Sequence, residues 1–212
     1  MFMKTYTYFI RPLTLIMLAG MLTISATPLF AQSDSTGTFW NPKPRNYEVT
    51  QAIEIESLFP MFFYGGYHVG IGYRYKKFRV RMSVINGGNY NVDGQAVGKV
   101  DEGYKRYYKT SPGIFLGYNL WKNLELYGYF ETHTFKIEQL STGEKRDIFS
   151  NDVGIGMSYQ IFIGRHIYIQ PGIHSYFRPE KMATFSNDQS YAIPTFELSP
   201  IVRIGVRLWG KY

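Results

Sequence analysis

The sequence predicts an all-β chain closed into an eight-stranded antiparallel barrel turned inside out, with apolar side chains on its outer face and charges within. Three observations predict it. Hydropathy alternates with a period of two through eight segments between residues 50 and 212. Eleven acids and arginines keep to one phase of that alternation, the phase that is also rich in glycine. Connections between segments are alternately short and long. Composition agrees: the 212 residues include 19 Tyr, 16 Phe and 21 Gly and no Cys, which suits strands and tight turns and excludes a disulfide scaffold or a thiolate metal site.

Before the alternation begins, residues 1–12 carry Lys4 and Arg11 and no acid, and residues 13–31 are largely apolar. This pattern predicts a secretory signal peptide over residues 1–31, cleaved after Ala31. Thr14, Thr23, Ser25, Thr27 and Pro28 interrupt the run and argue against a retained transmembrane helix. Cleavage would remove two of 23 basic residues and none of 16 acidic ones, leaving 21 minus 16, or +5. That charge is too modest to indicate nucleic acid, and export makes such a partner less suitable still. No Cys follows the cleavage region, so an amino-terminal lipid anchor is not available. Residues 32–49 hold Ser, Thr, Asp, Gly and two Pro without a period and read as a flexible lead, with Phe39, Trp40 and Tyr47 free to rest on the domain or a membrane interface.

The barrel itself is assigned to residues 50–212. The first segment, 50–59, opposes Ile53 and Ile55 to Glu54 and Glu56. The second, 66–75, sets Val69, Ile71 and Tyr73 against His68, Gly70, Gly72 and Arg74, and the third, 78–86, sets Val80, Met82 and Val84 against Arg79, Arg81 and Ser83. The fourth, 108–120, opposes Ile114, Leu116 and Tyr118 to Phe115 and Gly117; the fifth, 124–138, opposes Leu126 and Phe130 to Glu125, Tyr127, Tyr129, Glu131 and His133. The sixth, 149–162, places Val153, Ile155 and Met157 opposite Asp152, Gly154 and Gly156, and the seventh, 166–178, places Ile167, Ile169 and Ile173 opposite Tyr168, Gln170 and His174. The eighth, 195–209, sets Val202, Ile204, Val206 and Leu208 against Glu197, Arg203 and Arg207. Pro171 and Pro200 each delete a ladder donor, so they must lie at bulges or at amides with no neighbour.

One face is therefore aliphatic and aromatic, while the other holds Glu54, Glu56, Glu125, Glu131, Asp152 and Glu197 with Arg74, Arg79, Arg81, Arg203 and Arg207. Unpaired, each of these charges in a dry core would cost several kcal/mol, on the order of the whole folding margin. The apolar face turned to water would expose large contiguous patches. A barrel whose greasy face meets hydrocarbon and whose charges pair inside resolves both, and closure is required because hydrocarbon satisfies no free strand edge. The inward glycines make room for Arg and Tyr in a narrow, largely filled lumen. Trp121 and Trp209, with Tyr75 and Phe78, fall beside the short turns, where amphipathic rings favour a headgroup boundary.

From about Thr50 to Tyr212 the sequence resembles the small outer-membrane β-barrel proteins of Gram-negative bacteria, in particular the barrel families of the Bacteroidota. The resemblance implies an outer-membrane location, short periplasmic turns and longer extracellular loops. It also implies a carboxyl-terminal signal for the barrel assembly machinery, here Ile204, Val206, Leu208 and the final Tyr212, although Gly210 occupies one apolar position. Partners implied are outer-membrane lipid and lipopolysaccharide, that machinery, and an extracellular or periplasmic protein. No cofactor and no metal is called for.

The charged lumen set reads as a salt-bridge network replacing an apolar core, and the function expected is structural, adhesive or interactive through the extracellular loops. A narrow channel for ions or small solutes is the first alternative. A lipid A or phospholipid modifying enzyme is the second: His174-Ser175 invites it, but adjacent strand residues point to opposite faces, and no catalytic residue is assigned. His68, His133 and His174 share the inward phase and form a weak polar-site candidate, with Glu131 or Glu197 as an orienting carboxylate. The third loop ends in Lys105, Arg106, Tyr107, Tyr108 and Lys109, a basic aromatic run suited to anionic headgroups.

Overall fold

The computed structural model describes residues 49–93 and 103–211. The expected signal peptide, all of the lead but Val49, residues 94–102 of the third loop and Tyr212 lie outside them. Twelve strand segments are present: β1 (Gln51–Ser57), β2 (Tyr67–Tyr75), β3 (Phe78–Asn86), β4 (Tyr104–Tyr108), β5 (Ser111–Trp121), β6 (Leu124–Gln139), β7 (Lys145–Tyr159), β8 (Ile161–Ile163), β9 (Ile167–Phe177), β10 (Lys181–Thr184), β11 (Ser190–Ile193) and β12 (Phe196–Lys211), with a 3-10 helix at Phe59–Tyr64. Ten of them make a closed wall of eight antiparallel strands. β4 and β5 both pair with β6 and count as one, β7 and β8 both pair with β9 and count as one, and β1 pairs with β12 to shut the cylinder.

Each interruption has a local cause. Between the pairs Tyr108↔Phe135 and Gly113↔Glu131 the wall strand advances five residues while β6 advances four, so a bulge separates β4 from β5. Register against β9 is unbroken from Ser158↔Gly172 to Ile161↔Ile169, and the gap between β7 and β8 falls where Pro171 offers no amide. Pro200 meets a different vacancy. On β12 the Arg207 amide donates to the His166 carbonyl and the Thr195 carbonyl accepts from the Arg178 amide, so odd-numbered residues here address the β9 side. Pro200, being even, addresses β1, whose ladder with β12 ends at Ser57↔Ile204.

The alternation separates the two faces cleanly. Outward Val80, Met82, Leu116, Leu126, Ile155 and Val202 are exposed, whereas inward Arg79, Arg81, Glu125, Tyr127, Tyr168 and Arg203 are buried. Higher on β6 the assignment inverts: Phe135 and Ile137 point inward and are fully buried, with Lys136 and Glu138 on the other phase. There they join Ile148 of β7 and Ala183, Phe185, Tyr191 and Ile193 of the last loop in a conventional apolar core. The apolar exterior thus ends partway along these strands, and above it the chain folds as a water-soluble protein does, greasy groups inside.

Loops expected to be irregular at that end are largely strand. β6 and β7 pair out to Glu138↔Lys145, so the ten-residue connection shrinks to a turn at 140–144. The third loop contributes β4, and the last folds into the β10–β11 hairpin. Ser186 at the hairpin tip donates its amide to Glu144 Oε2 at 3.0 Å, which holds that carboxyl below its ordinary value. Residues 59–64 coil into the 3-10 helix, which Gly65 ends at φ 73°. At the opposite, turn end, Tyr75, Phe78, Trp121 and Trp209 are all exposed and ring the wall.

Inward glycines are the complement of inward tyrosines. A Cβ at Gly154 would fall on the Tyr129 ring and the Ser175 carbonyl, whereas one at outward Gly128 would meet only the Gly154 carbonyl, at 3.9 Å. Gly154→Ala is therefore expected to destabilise by about 1–3 kcal/mol and Gly128→Ala to have no measurable effect. Urea titration of the two variants, followed by tryptophan fluorescence, checks this.

Candidate functional site

The lumen is the one place where the sequence concentrates chemistry, and the pairing of strands stacks it in two ionic tiers. The tier nearer the turn end is centred on Arg79 of β3. Its guanidinium lies 3.0 Å from Glu54 Oε2, 2.8 Å from Glu56 Oε2 and 3.1 Å from Glu125 Oε2. It also donates to Tyr168 Oη at 2.9 Å and Gln170 Oε1 at 3.3 Å. Arg207 forks onto Glu54 Oε1 at 2.8 and 3.1 Å, while Arg81 and Arg203 approach Glu56 Oε1 at 3.2 and 3.1 Å. Arg74 donates to Gln160 Oε1 at 2.8 Å. All of these side chains are buried, and five guanidinium groups face three carboxylates.

Above them lies an aromatic layer of Phe115, Tyr127, Tyr129 and Tyr176 with His174. The Arg81 guanidinium sits 4.3 Å from the centre of the Phe115 ring and Arg203 sits 5.5 Å from that of Tyr127, so part of the positive excess rests on π faces.

The second tier sits under the apolar core of the loop end. Arg106 bonds Asp93 Oδ1 at 2.8 Å and forks onto Glu197; Arg178 bridges Glu197 and Asp152, with Nη2 2.8 Å from Asp152 Oδ2. Tyr191 donates to Asp93 Oδ2 at 2.6 Å and Ser150 to Asp152 Oδ1 at 2.6 Å. Here two guanidinium groups face Asp93, Asp152 and Glu197, with Glu131 close by.

Glu54, Glu56, Arg74, Arg79, Arg81, Glu125, Arg203 and Arg207 thus fall in the first tier, and Glu131, Asp152 and Glu197 in or beside the second. Sequence reasoning missed Asp93, Arg106 and Arg178. Arg106 had been expected to face headgroups with its basic neighbours; instead Arg106 and Tyr108 are buried, and of that run Lys109 is exposed, 2.7 Å from Asp147. The signal was available, since Tyr104, Arg106 and Tyr108 keep one strand phase.

The three histidines each have a different polar partner. His68 Nδ1 accepts the Leu58 amide at 3.0 Å, His174 Nε2 lies 2.6 Å from Arg203 Nη2, and His133 Nδ1 lies 2.7 Å from Asp152 Oδ2. Glu131 stands 3.7 Å from His133 Nε2, and Asp152, rather than Glu131 or Glu197, makes the close contact. Among the described residues no group of three His, Asp or Glu is arranged to hold a metal ion. His174 and Ser175 face opposite sides of the wall, and the Ser175 hydroxyl donates to the Ile155 carbonyl at 2.8 Å. Ile204, Val206 and Leu208 lie on the outer phase of β12; Tyr212 lies outside the described residues.

No protein family matches the chain, and no curated protein does. Two solved structures are similar to it in fold. One is the N-terminal β-barrel domain of Pseudomonas aeruginosa OprF, at 11% identity and a TM-score of 0.41, covering 76% of this chain and 98% of that one. The other is Neisserial surface protein A, NspA, at 10% identity and a TM-score of 0.42, covering 74% and 95%. Identities this low say nothing about activity.

Losing Arg79 would leave Glu54, Glu56 and Glu125 without their shared cation, so Arg79→Ala is expected to cost about 3–5 kcal/mol. Arg81→Ala is expected to cost less, because Arg81 Nη1 and Nη2 have no hydrogen-bond acceptor. Lys109→Ala, which breaks an exposed pair, is expected to fall within error. Ranking the three by urea midpoint checks the order.

Proposed function

We propose that this chain is an exported integral protein of a Gram-negative outer membrane, in which residues 1–31 are removed as a signal peptide and residues 32–49 remain as a lead to the barrel. Its turn end faces the periplasm and its loop end lies outside. Its role is structural, adhesive or interactive, exercised by the outer cap and not by passage of solute through the wall. The observation that carries this reading is the filling of the lumen: two paired ionic tiers with an aromatic layer between them, inside a wall whose outer face is apolar along the barrel and reverses only at the loop end. Buried ion pairs of this density are tolerated where the exterior must be greasy, because there the apolar residues are needed on the outside.

The cap supplies a rigid surface for contact. The β10–β11 hairpin is braced by Ala183, Phe185, Tyr191 and Ile193 against β6 and β7, and it presents Met182 outward. Leu140 on the neighbouring turn and Phe149 on β7 are likewise exposed. Lys109, Lys145 and Arg146 lie at the same end beside Asp147, Glu138 and Glu144, and the phosphates of lipopolysaccharide would compete with those carboxylates for them. The alternating last strand, β12, supports handling by the barrel assembly machinery and the narrower resemblance to Bacteroidota barrels. The conduit reading is weakened by the side chains that occupy the lumen, and the hydrolase reading by the hydrogen bond that ties the Ser175 hydroxyl to the wall.

In planar bilayers the purified barrel is expected to show no unitary conductance, and stepwise currents would overturn the plugged-lumen reading. Membranes washed in carbonate are expected to retain the protein, with gel mobility that changes on boiling. Release into the supernatant would overturn the membrane assignment.

A further inference from the structure

The wall is not sealed equally along its whole height. β12 continues from Ile204 up to Phe196 with β9 beside it, but its ladder with β1 stops at Ser57↔Ile204. The cause is local. Ser57 Oγ donates to the His68 carbonyl at 2.5 Å, and the Leu58 amide donates to His68 Nδ1 at 3.0 Å. Those bonds draw the chain toward β2, and the 3-10 helix then starts at Phe59 with Pro60 in its first turn. The edge of β12 above Ile204 is left facing that helix across a gap.

Pro200 lies on this edge with its nitrogen turned toward the gap. In hydrocarbon an unpaired N–H is costly, and proline is the residue that removes one. The composition of the lumen changes at the same place. Inward positions lower in the wall are mostly ionic, aromatic, polar or glycine, whereas beside the gap two branched aliphatic side chains, Ile85 of β3 and Ile201 of β12, stand with Ser199. With Leu58, Met61 and Tyr108 they line a cleft of about 100 Å³ that runs from the gap to the underside of the cap. Val202, exposed on the outer face, lines it from the β12 side, and Pro60 lines it from the 3-10 helix. Glu197, at its inner end, is already neutralised by Arg106 and Arg178.

We propose that this cleft is a lateral site for one hydrocarbon chain of an outer-leaflet lipid. The chain enters sideways between β12 and the 3-10 helix and ends beneath Tyr108. The proposal rests on the membrane reading above. An aliphatic chain is the occupant that the cleft fits: it opens beside the exposed Val202 of the greasy outer face, Leu58, Met61, Ile85 and Ile201 line it, and its lining offers no unpaired charge. A folded partner is too wide for it, and the one charge that lines it, Glu197, is already paired with Arg106 and Arg178.

The test uses the full barrel in liposomes containing a phosphatidylethanolamine with a diazirine near the end of one acyl chain, photolysed and mapped by peptide mass spectrometry. Adducts are expected on the lipid-facing wall, at Leu126 and Ile155, and also on inward Ile85 or Met61. Ile201→Trp, which fills the cleft, is expected to reduce the inward adducts at least tenfold and leave the wall adducts unchanged. Ser199→Phe serves the same purpose if the first variant loses its heat-modifiable mobility. Wall adducts without inward ones would overturn the proposal while leaving the membrane reading intact, as would inward adducts indifferent to both filled variants. Inward labelling by free diazirine palmitate but not by the phospholipid would also overturn it. A chain labelled at neither place would overturn both readings.

Discussion

Charge neutrality inside a closed wall is the constraint on which the rest of the structure depends. Among the described residues the buried set contains seven guanidinium groups, of Arg74, Arg79, Arg81, Arg106, Arg178, Arg203 and Arg207, and seven carboxylates, of Glu54, Glu56, Asp93, Glu125, Glu131, Asp152 and Glu197. No Lys is buried with them. The preference has a geometric reason. A planar fork with five donors allows Arg79 to hold three carboxylates that come from two different strands, which a single ammonium point cannot match. Strand pairing sets where each charge lies along the axis, and the ionic contacts in turn tie together strands remote in sequence, as Arg207 ties β12 to Glu54 on β1.

Neutrality is reached over the whole lumen and not within each layer. The tier toward the turns has an excess of arginine and the tier toward the loops an excess of acid, and the aromatic layer separates them. Rings are suited to that position because they bring π faces to the surplus guanidinium groups without adding charge. Space for those rings comes from glycine: Gly154 and Gly156 lie under Tyr129 and Tyr127, and Gly205 under Tyr168. The same economy explains why the apolar core has moved. Below the inversion on β6, apolar residues are needed on the outside, so polar groups must pack the inside. Above it, Phe135 and Ile137 can pack in the usual way, and the hairpin β10–β11 closes over them.

The three wall prolines follow a rule as well. Pro112 lies at the bulge side of β5, Pro171 at the break between β7 and β8, and Pro200 on the free edge of β12. Each occupies a place where the ladder is already interrupted, so none strands an acceptor in an intact sheet. The free edge in turn depends on His68, which looked in the sequence like one of three histidines with a common purpose. Its ring instead takes the Leu58 amide and diverts the chain before β1 can finish its pairing with β12.

Period and composition by themselves determined the closed eight-stranded wall, which side chains of its segments face in and which face out, and the short turns at one end. These are local properties: a strand alternates its side chains whatever its neighbours are, and a two-residue turn is set by its own backbone. Tertiary structure decided which charge meets which, since Arg79 and Glu125 are far apart in sequence and adjoin only through register. It also decided that the loops zip into strands above the apolar band, and that β1 leaves β12 unpaired at Pro200. Each of those depends on what packs alongside, and alternation along a single strand carries no information about the strand beside it.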